Sequence, residues 1–234
     1  MSETIRLSND FMSRFTHGFV LDPGGCALVI VDMQYASACR TTGLGEVLAK
    51  EGLAHLAAYR FDRIEQTVIP AMQRLLNYFR SNGLRVIYLT VGSEMPDYSD
   101  LFPHMQKIAS TFNNRVGARE HEILDELKPL PGEFVRNKTT TGAFASLNLA
   151  TTLRAMGVTD LVFGGVSTDL CVDNTARAAS DLGFNCVLVD DACATGSQDI
   201  HDATLRIFQR SLGRVASADD VIAELTSRRS KDRA

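Results

Sequence analysis

Short apolar, β-branched runs recur along this chain, each entered through a turn. Cys26-Ala-Leu-Val-Ile-Val-Asp32 follows Pro23-Gly24-Gly25, and Arg85-Val-Ile-Tyr-Leu-Thr-Val91 follows Asn82-Gly83. Asp160-Leu-Val-Phe-Gly-Gly-Val166 follows Met156-Gly157, and Cys186-Val-Leu-Val-Asp190 follows Leu182-Gly183-Phe184. A weaker run, Glu133-Phe-Val-Arg136, follows Pro131-Gly132. Runs without polar alternation suit strands buried on both faces, so the pattern predicts five strands.

Between the runs the apolar period changes to that of a helix. Ile64, Val68, Met72, Leu75, Leu76 and Phe79 form one such set; Leu147, Leu149, Leu153 and Met156 form a second, and Val172, Ala176, Ala179 and Leu182 a third. The glycines that follow are candidate C-caps. Strands alternating with helices require right-handed crossovers and a parallel sheet covered on both faces, which is an α/β fold. Two stretches fit less well. Residues 36 to 62, with Gly43, Gly45 and Gly52, read as a long excursion over the active edge with a short helix around Leu53 to Tyr59, and residues 92 to 122 read as irregular. Phe11, Phe15 and Phe19 precede the first strand at helical spacing, as an arm that packs either on a partner subunit or on the chain's own core.

Composition narrows the class. With 234 residues, 45% hydrophobic and 22% charged, the chain has the make-up of a globular protein, expected as one domain over residues 1–234, with an arm at 1–22 and a frayed basic tail at 227–234. There is no internal repeat. The net charge of −4 is too small and too evenly spread to suggest a nucleic-acid or membrane partner. Cys26, Cys39, Cys171, Cys186 and Cys193 form an odd set without a C-x-x-C pair, which points to a reducing cytoplasm. The first residues contain no apolar run of signal or membrane length.

Ligands in open parallel sheets bind beyond the carboxyl ends of the strands, which selects Asp32, Lys138 and Cys171. Singly each has an ordinary role, as a cap, a solvated cation and a small core residue. Jointly they supply a nucleophile, a base and a cation. A thiol at a helix start beside a lysine is expected to ionise readily, and the N–H groups of Leu170 and Cys171 stand where an oxyanion hole would form.

Val-Ile-Val-Asp32-Met-Gln34, Asn137-Lys138-Thr-Thr-Thr-Gly-Ala143-Phe144 and Gly165-Val-Ser-Thr-Asp-Leu-Cys171-Val172, with Thr175 and Ala176, closely resemble the three signature segments of the isochorismatase-like cysteine hydrolases. The match runs over about residues 26 to 220. The resemblance implies a Rossmann-like three-layer sandwich with a six-stranded, mostly parallel sheet, a triad of Asp32, Lys138 and Cys171, a cis peptide between Val166 and Ser167, and a homodimer or homotetramer. The metal-binding histidines of nicotinamidases have no counterpart in Thr90-Val-Gly-Ser-Glu-Met-Pro-Asp97, and His17, His55, His104, His121 and His201 lack ligand spacing, so neither metal nor other cofactor is expected. The presence of Cys171 favours C–N cleavage over the acid-catalysed enol-ether cleavage of isochorismatases proper. The expected activity is hydrolysis of a small linear amide or ureido (N-carbamoyl) compound through a thioester, with Gln34, Tyr35, Arg40, Arg60, Phe144 and Asn174 as candidate substrate contacts. An enol-ether hydrolase and a catalytically silent binding protein of the same fold are the alternatives. No G-x-S-x-G elbow and no G-x-G-x-x-G after the first strand argue against a serine hydrolase and a dinucleotide enzyme.

Overall fold

The computed structural model describes residues 11–15 and 18–231. Six strands, β1 (Cys26–Val31), β2 (Arg85–Val91), β3 (Phe134–Lys138), β4 (Asp160–Val166), β5 (Asn185–Ala194) and β6 (Arg214–Ala216), form one sheet in the order β3-β2-β1-β4-β5-β6. Every pairing is parallel. The chain therefore winds outward from β1 to β3 and then restarts on β1's other side with β4. This reversal opens a crevice at the carboxyl ends of β1 and β4.

Among the described residues, ten α-helices accompany the sheet: α1 (Tyr35–Ala38), α2 (Gly43–Lys50), α3 (Ala58–Arg63), α4 (Ile69–Ser81), α5 (Pro103–Thr111), α6 (Ala143–Ser146), α7 (Leu149–Ala155), α8 (Asp173–Asp181), α9 (Gln198–Ser211) and α10 (Ala218–Lys231). Strand pleating sends alternate side chains to opposite faces. Leu28 and Ile30 of β1 pack with Met72, Leu75 and Phe79 of α4 and with Val221 and Leu225 of α10. Ala27, Val29 and Val31 face the other way, against Leu153 of α7, Ala176 and Ala179 of α8, and Leu205 and Phe208 of α9. Two cores result, and each fully buried large side chain in them stabilises the fold by roughly 1.5–3 kcal/mol.

The structure differs from the sequence reading in four places. The excursion at 36–62 is largely helical, with α2, a 3₁₀ turn at Ala54–Ala57 and α3, which runs through a π turn at Ile64–Val68 into α4. The stretch 92–122 contains α5. Residues 227 to 231 continue α10 instead of fraying, and Arg229 donates to the Asn82 carbonyl (3.1 Å); the last three residues of the expected tail lie outside the described residues. Lys138 ends β3 instead of following it. Much of the arm also lies outside the described residues. Of its aromatics, Phe11 and Phe15 are exposed and Phe19 is half-buried beneath the Arg214 guanidinium.

Candidate active site

β1 ends at Val31, and Asp32 follows with a left-handed backbone (φ 52°) that aspartate tolerates better than most residues. Its amide donates to the Leu89 carbonyl (2.8 Å), and its own carbonyl accepts from the Ser37 hydroxyl (2.7 Å). The carboxylate is thereby held in the crevice. β4 can lie beside it because Gly165 (φ +136°) has no side chain: a Cβ there would stand 2.0 Å from the Val31 carbonyl oxygen. After β4 the peptide bond between Val166 and Ser167 is cis, and the chain enters a π-helical turn, Thr168–Val172, that carries Cys171 and leads into α8.

Lys138 reaches the same point from two strands away. Neighbouring strands are spaced about 4.8 Å apart, so β3 lies about 10 Å from β1. An extended lysine side chain spans the gap beneath the end of β2. Its Nζ donates to Asp32 Oδ2 (2.9 Å) and to the Thr140 carbonyl (3.2 Å). The pair is sealed from water, with Lys138 0% and Asp32 2% exposed. Asp32 Oδ1 is buried with no hydrogen-bond partner.

The electrostatics follow from this burial. Desolvation lifts the Asp32 carboxyl above the usual carboxylate range, against the opposing pull of Lys138 and Cys171. For Lys138 desolvation is the largest influence and favours the neutral amine, but Asp32 and Cys171 together outweigh it and hold the ammonium above its usual value. Burial, and after it the Asp32 charge, push the Cys171 thiol up to about 12 in spite of Lys138. This direction runs against the expected ready ionisation of the thiol. Cys171 sits within a π turn, 8% exposed, and the loss of hydration there exceeds what the cation returns.

Asp32 and Cys171 border a cavity of about 190 Å³. This is smaller than the roughly 300–1,000 Å³ of drug-sized pockets and suits a small substrate. Arg60, Ser37 and Ser167 add polar groups, while Met105, Ile108, Ala109 and Phe112 form an apolar wall. These four recur at i, i+3, i+4 and i+7, a helical period that was readable within the stretch taken as irregular. Arg60 is itself buried; it donates through Nε and Nη2 to the Ser37 carbonyl (3.1 and 2.9 Å) and through Nη1 to the Ser167 hydroxyl (2.7 Å). Burial lowers its pKa to about 10. Among the described residues, no group of three or more His, Cys, Asp or Glu is placed to hold a metal ion.

The structure brings Asp32, Lys138 and Cys171 together, with Arg60 beside them, but not the other expected contacts. Gln34 is wholly buried as a brace: its amide donates to the Val91 and His121 carbonyls (3.2 and 2.8 Å) and accepts from the Val91 N–H (2.8 Å). Tyr35 turns away, its ring under the Arg119 guanidinium (3.8 Å) and its hydroxyl accepting from the Asp125 N–H (3.3 Å). Arg40 pairs with Asp62 (2.6 Å) and Glu65 (2.9 Å) on the surface. Phe144 packs toward Phe184 in the second core (6.3 Å). Asn174 is exposed and reaches only the cavity's edge, donating to the Thr141 hydroxyl (3.3 Å). The Leu170 N–H, expected in the oxyanion hole, already donates to the Ser167 carbonyl (3.0 Å), so it is not free for that role.

A doubly wound parallel sheet with a carboxylate, a lysine and a thiol buried at its switch point is an α/β fold with a candidate active site in its crevice. Comparison with known proteins agrees: the chain matches the isochorismatase domain over residues 26–220 and belongs to that family. It is 30% identical over 216 residues to the ureidoacrylate amidohydrolase RutB of Agrobacterium fabrum (strain C58), covering 86% of this chain and 90% of that one. Among solved structures it is similar to an isochorismatase family protein from Burkholderia thailandensis (29% identity, TM-score 0.69, 88% of this chain and 98% of that one). It is also similar to the N-carbamoylsarcosine amidase of Thermoplasma acidophilum (26% identity, TM-score 0.62, 83% and 97%). Among the described residues, no helix is long and apolar enough to cross a membrane.

Proposed function

We propose that this protein is a cysteine amidohydrolase that cleaves a C–N bond in a small linear amide or ureido (N-carbamoyl) compound. In the resting state Cys171 is a thiol and Asp32 and Lys138 form an ion pair. As sulfur attacks the carbonyl carbon, the thiol proton passes to Asp32 Oδ1, whose other oxygen stays with Lys138. The Cys171 N–H stabilises the oxyanion, without the Leu170 N–H. Asp32 then protonates the departing ammonia or amine as the C–N bond breaks, leaving a thioester. Asp32 next takes a proton from the water that attacks the thioester carbonyl and returns it to the sulfur as the C–S bond breaks, which releases the acid and restores the thiol.

The observation that carries this reading is the buried Asp32 Oδ1, left without a hydrogen-bond partner while Lys138 holds Oδ2, on a carboxylate that borders the same cavity as Cys171. The buried ion pair keeps the base charged until its proton arrives. The relatives named for ureidoacrylate and N-carbamoylsarcosine support the ureido class. The test is ammonia release from a panel of ureas, N-carbamoyl amino acids and simple amides, with mass spectrometry of acid-quenched protein to find the acyl group on Cys171. Cys171→Ala is expected to lose at least a thousandfold in kcat, several kcal/mol of barrier lowering, with its fold retained. Turnover at the wild-type rate in that variant would rule out the covalent route. We propose further that residues 1–234 form one domain that assembles as a homodimer or homotetramer, which light scattering would read.

A further inference from the structure

A second polar chain reaches the Cys171 turn from the side away from the cavity. His201 of α9 and Thr168, the first residue of the π turn, are both 0% exposed. Thr168 Oγ1 lies 2.9 Å from His201 Nδ1. His201 Nε2 lies 2.8 Å from Asp190 Oδ1 and 2.9 Å from Arg63 Nη2. The proton positions follow by counting. Arg63 Nη2 has two hydrogens, which serve the Asp190 carbonyl (2.8 Å) and Oδ1 (2.9 Å). Asp190 Oδ1 only accepts, so the hydrogen between it and Nε2 is the histidine's own. In the neutral imidazole Nδ1 is then an acceptor, and the Thr168 hydroxyl donates to it.

Carboxylate, imidazole and hydroxyl therefore stand in line as they do in a serine-hydrolase triad, but the hydroxyl is sealed and cannot attack a substrate. What it can do is hold the turn. Thr168 precedes Cys171 by three residues, and its neighbours in the turn are also tied down: Ser167 by Arg60 of α3, and Asp169 by Thr195 just after β5. Of these ties, the one through His201 is the most deeply buried and is backed by a charged pair.

We propose that Thr168 and His201 are positioning residues that keep the Cys171 sulfur and N–H aimed at the substrate carbonyl, and so set kcat without touching the substrate. This rests on the reading that Cys171 attacks the substrate. The test compares Thr168→Ser, which keeps the hydroxyl, with Thr168→Val, which replaces it by a methyl of similar size, in steady-state ammonia release. A second pair separates the two ends of the imidazole: His201→Asn puts an acceptor near the place of Nδ1, and His201→Gln a donor near that of Nε2. The expected result is a kcat at least fivefold lower for Val than for Ser at unchanged KM, with Asn more active than Gln. A ratio under fivefold, or a KM change as large as the change in kcat, overturns the proposal. Should Thr168→Val fail to fold, the Asn and Gln variants decide by the same criterion. Cys171→Ala is the control: its retained turnover would remove the underlying reading, whereas a dead Cys171→Ala with equal Val and Ser variants would remove the positioning role alone.

Discussion

Replacing Lys138 by methionine shortens the side chain by one atom and deletes its charge together with the hydrogen bonds to Asp32 and the Thr140 carbonyl. At the observed 2.9 Å and an effective dielectric constant of about 20, the lost attraction is about 6 kcal/mol, equivalent to roughly four pK units on Asp32. The sign is fixed: without the cation the carboxylate is disfavoured, so the Asp32 pKa, already raised by burial, climbs further. At neutral pH the base is then protonated and cannot accept the thiol proton. Activity at pH 7 should fall by up to about ten-thousandfold, and recover about tenfold per pH unit as the medium becomes alkaline. Stability should move the opposite way. A carboxyl whose pKa is higher folded than unfolded favours the native state most below the unfolded value of about 3.9, and the benefit fades as pH rises toward the folded value. Lys138→Met should therefore be closest to wild type near pH 5, with a deficit growing toward about 3–5 kcal/mol in alkali, the usual cost of an unpaired buried charge. The assays are kcat/KM by ammonia release from pH 5 to 10 and urea unfolding at pH 5 and 8. An acid limb that stays where the wild type has it would refute the assignment of Asp32 as the base that Lys138 keeps ionised.

Two further outcomes follow from the geometry. Alkylation of Cys171 by iodoacetamide should accelerate about tenfold per pH unit between pH 7 and 9, because the thiol is pushed up to about 12; peptide mapping would follow it, and a rate already flat at neutral pH would mean that the resting group is a thiolate. Gly165→Ala should destabilise the protein by about 3 kcal/mol or more, a fall in Tm of roughly 6–12 °C, because its Cβ would stand 2.0 Å from the Val31 carbonyl oxygen; a wild-type melting curve would show that β1 and β4 are not so close.

The main outline of the fold was legible because β1, β2, β4 and β5 are apolar on both faces, a pattern helices rarely share. β6 left no such trace: it is three half-buried residues, held by pairing with β5 and not by a pattern of its own. Asp32, Lys138 and Cys171 could be located because each stands at or just beyond a strand end, and topology brings strand ends together. The surrounding contacts could not be located in this way. Gln34 braces β2 through Val91, 57 positions onward, and Arg40 is drawn to the surface by Asp62 and Glu65, which lie more than twenty positions onward. The upward push that burial gives the thiol was not legible for a related reason. A helix start and a lysine can be read from residue order, whereas the depth of burial that opposes them belongs to the assembled fold.

The helix that supplies the cavity's apolar wall rests on a small core of its own, in which Met105 and Ala109 meet Val91 and Leu101, apart from the two large ones. This wall meets the sheet at Val91, the last residue of β2, outside the two clusters that hold the helices to it. Exchanging Ile108 or Phe112, which lie outside that small core, is expected to reshape the chamber while leaving Asp32, Lys138 and Cys171 in place.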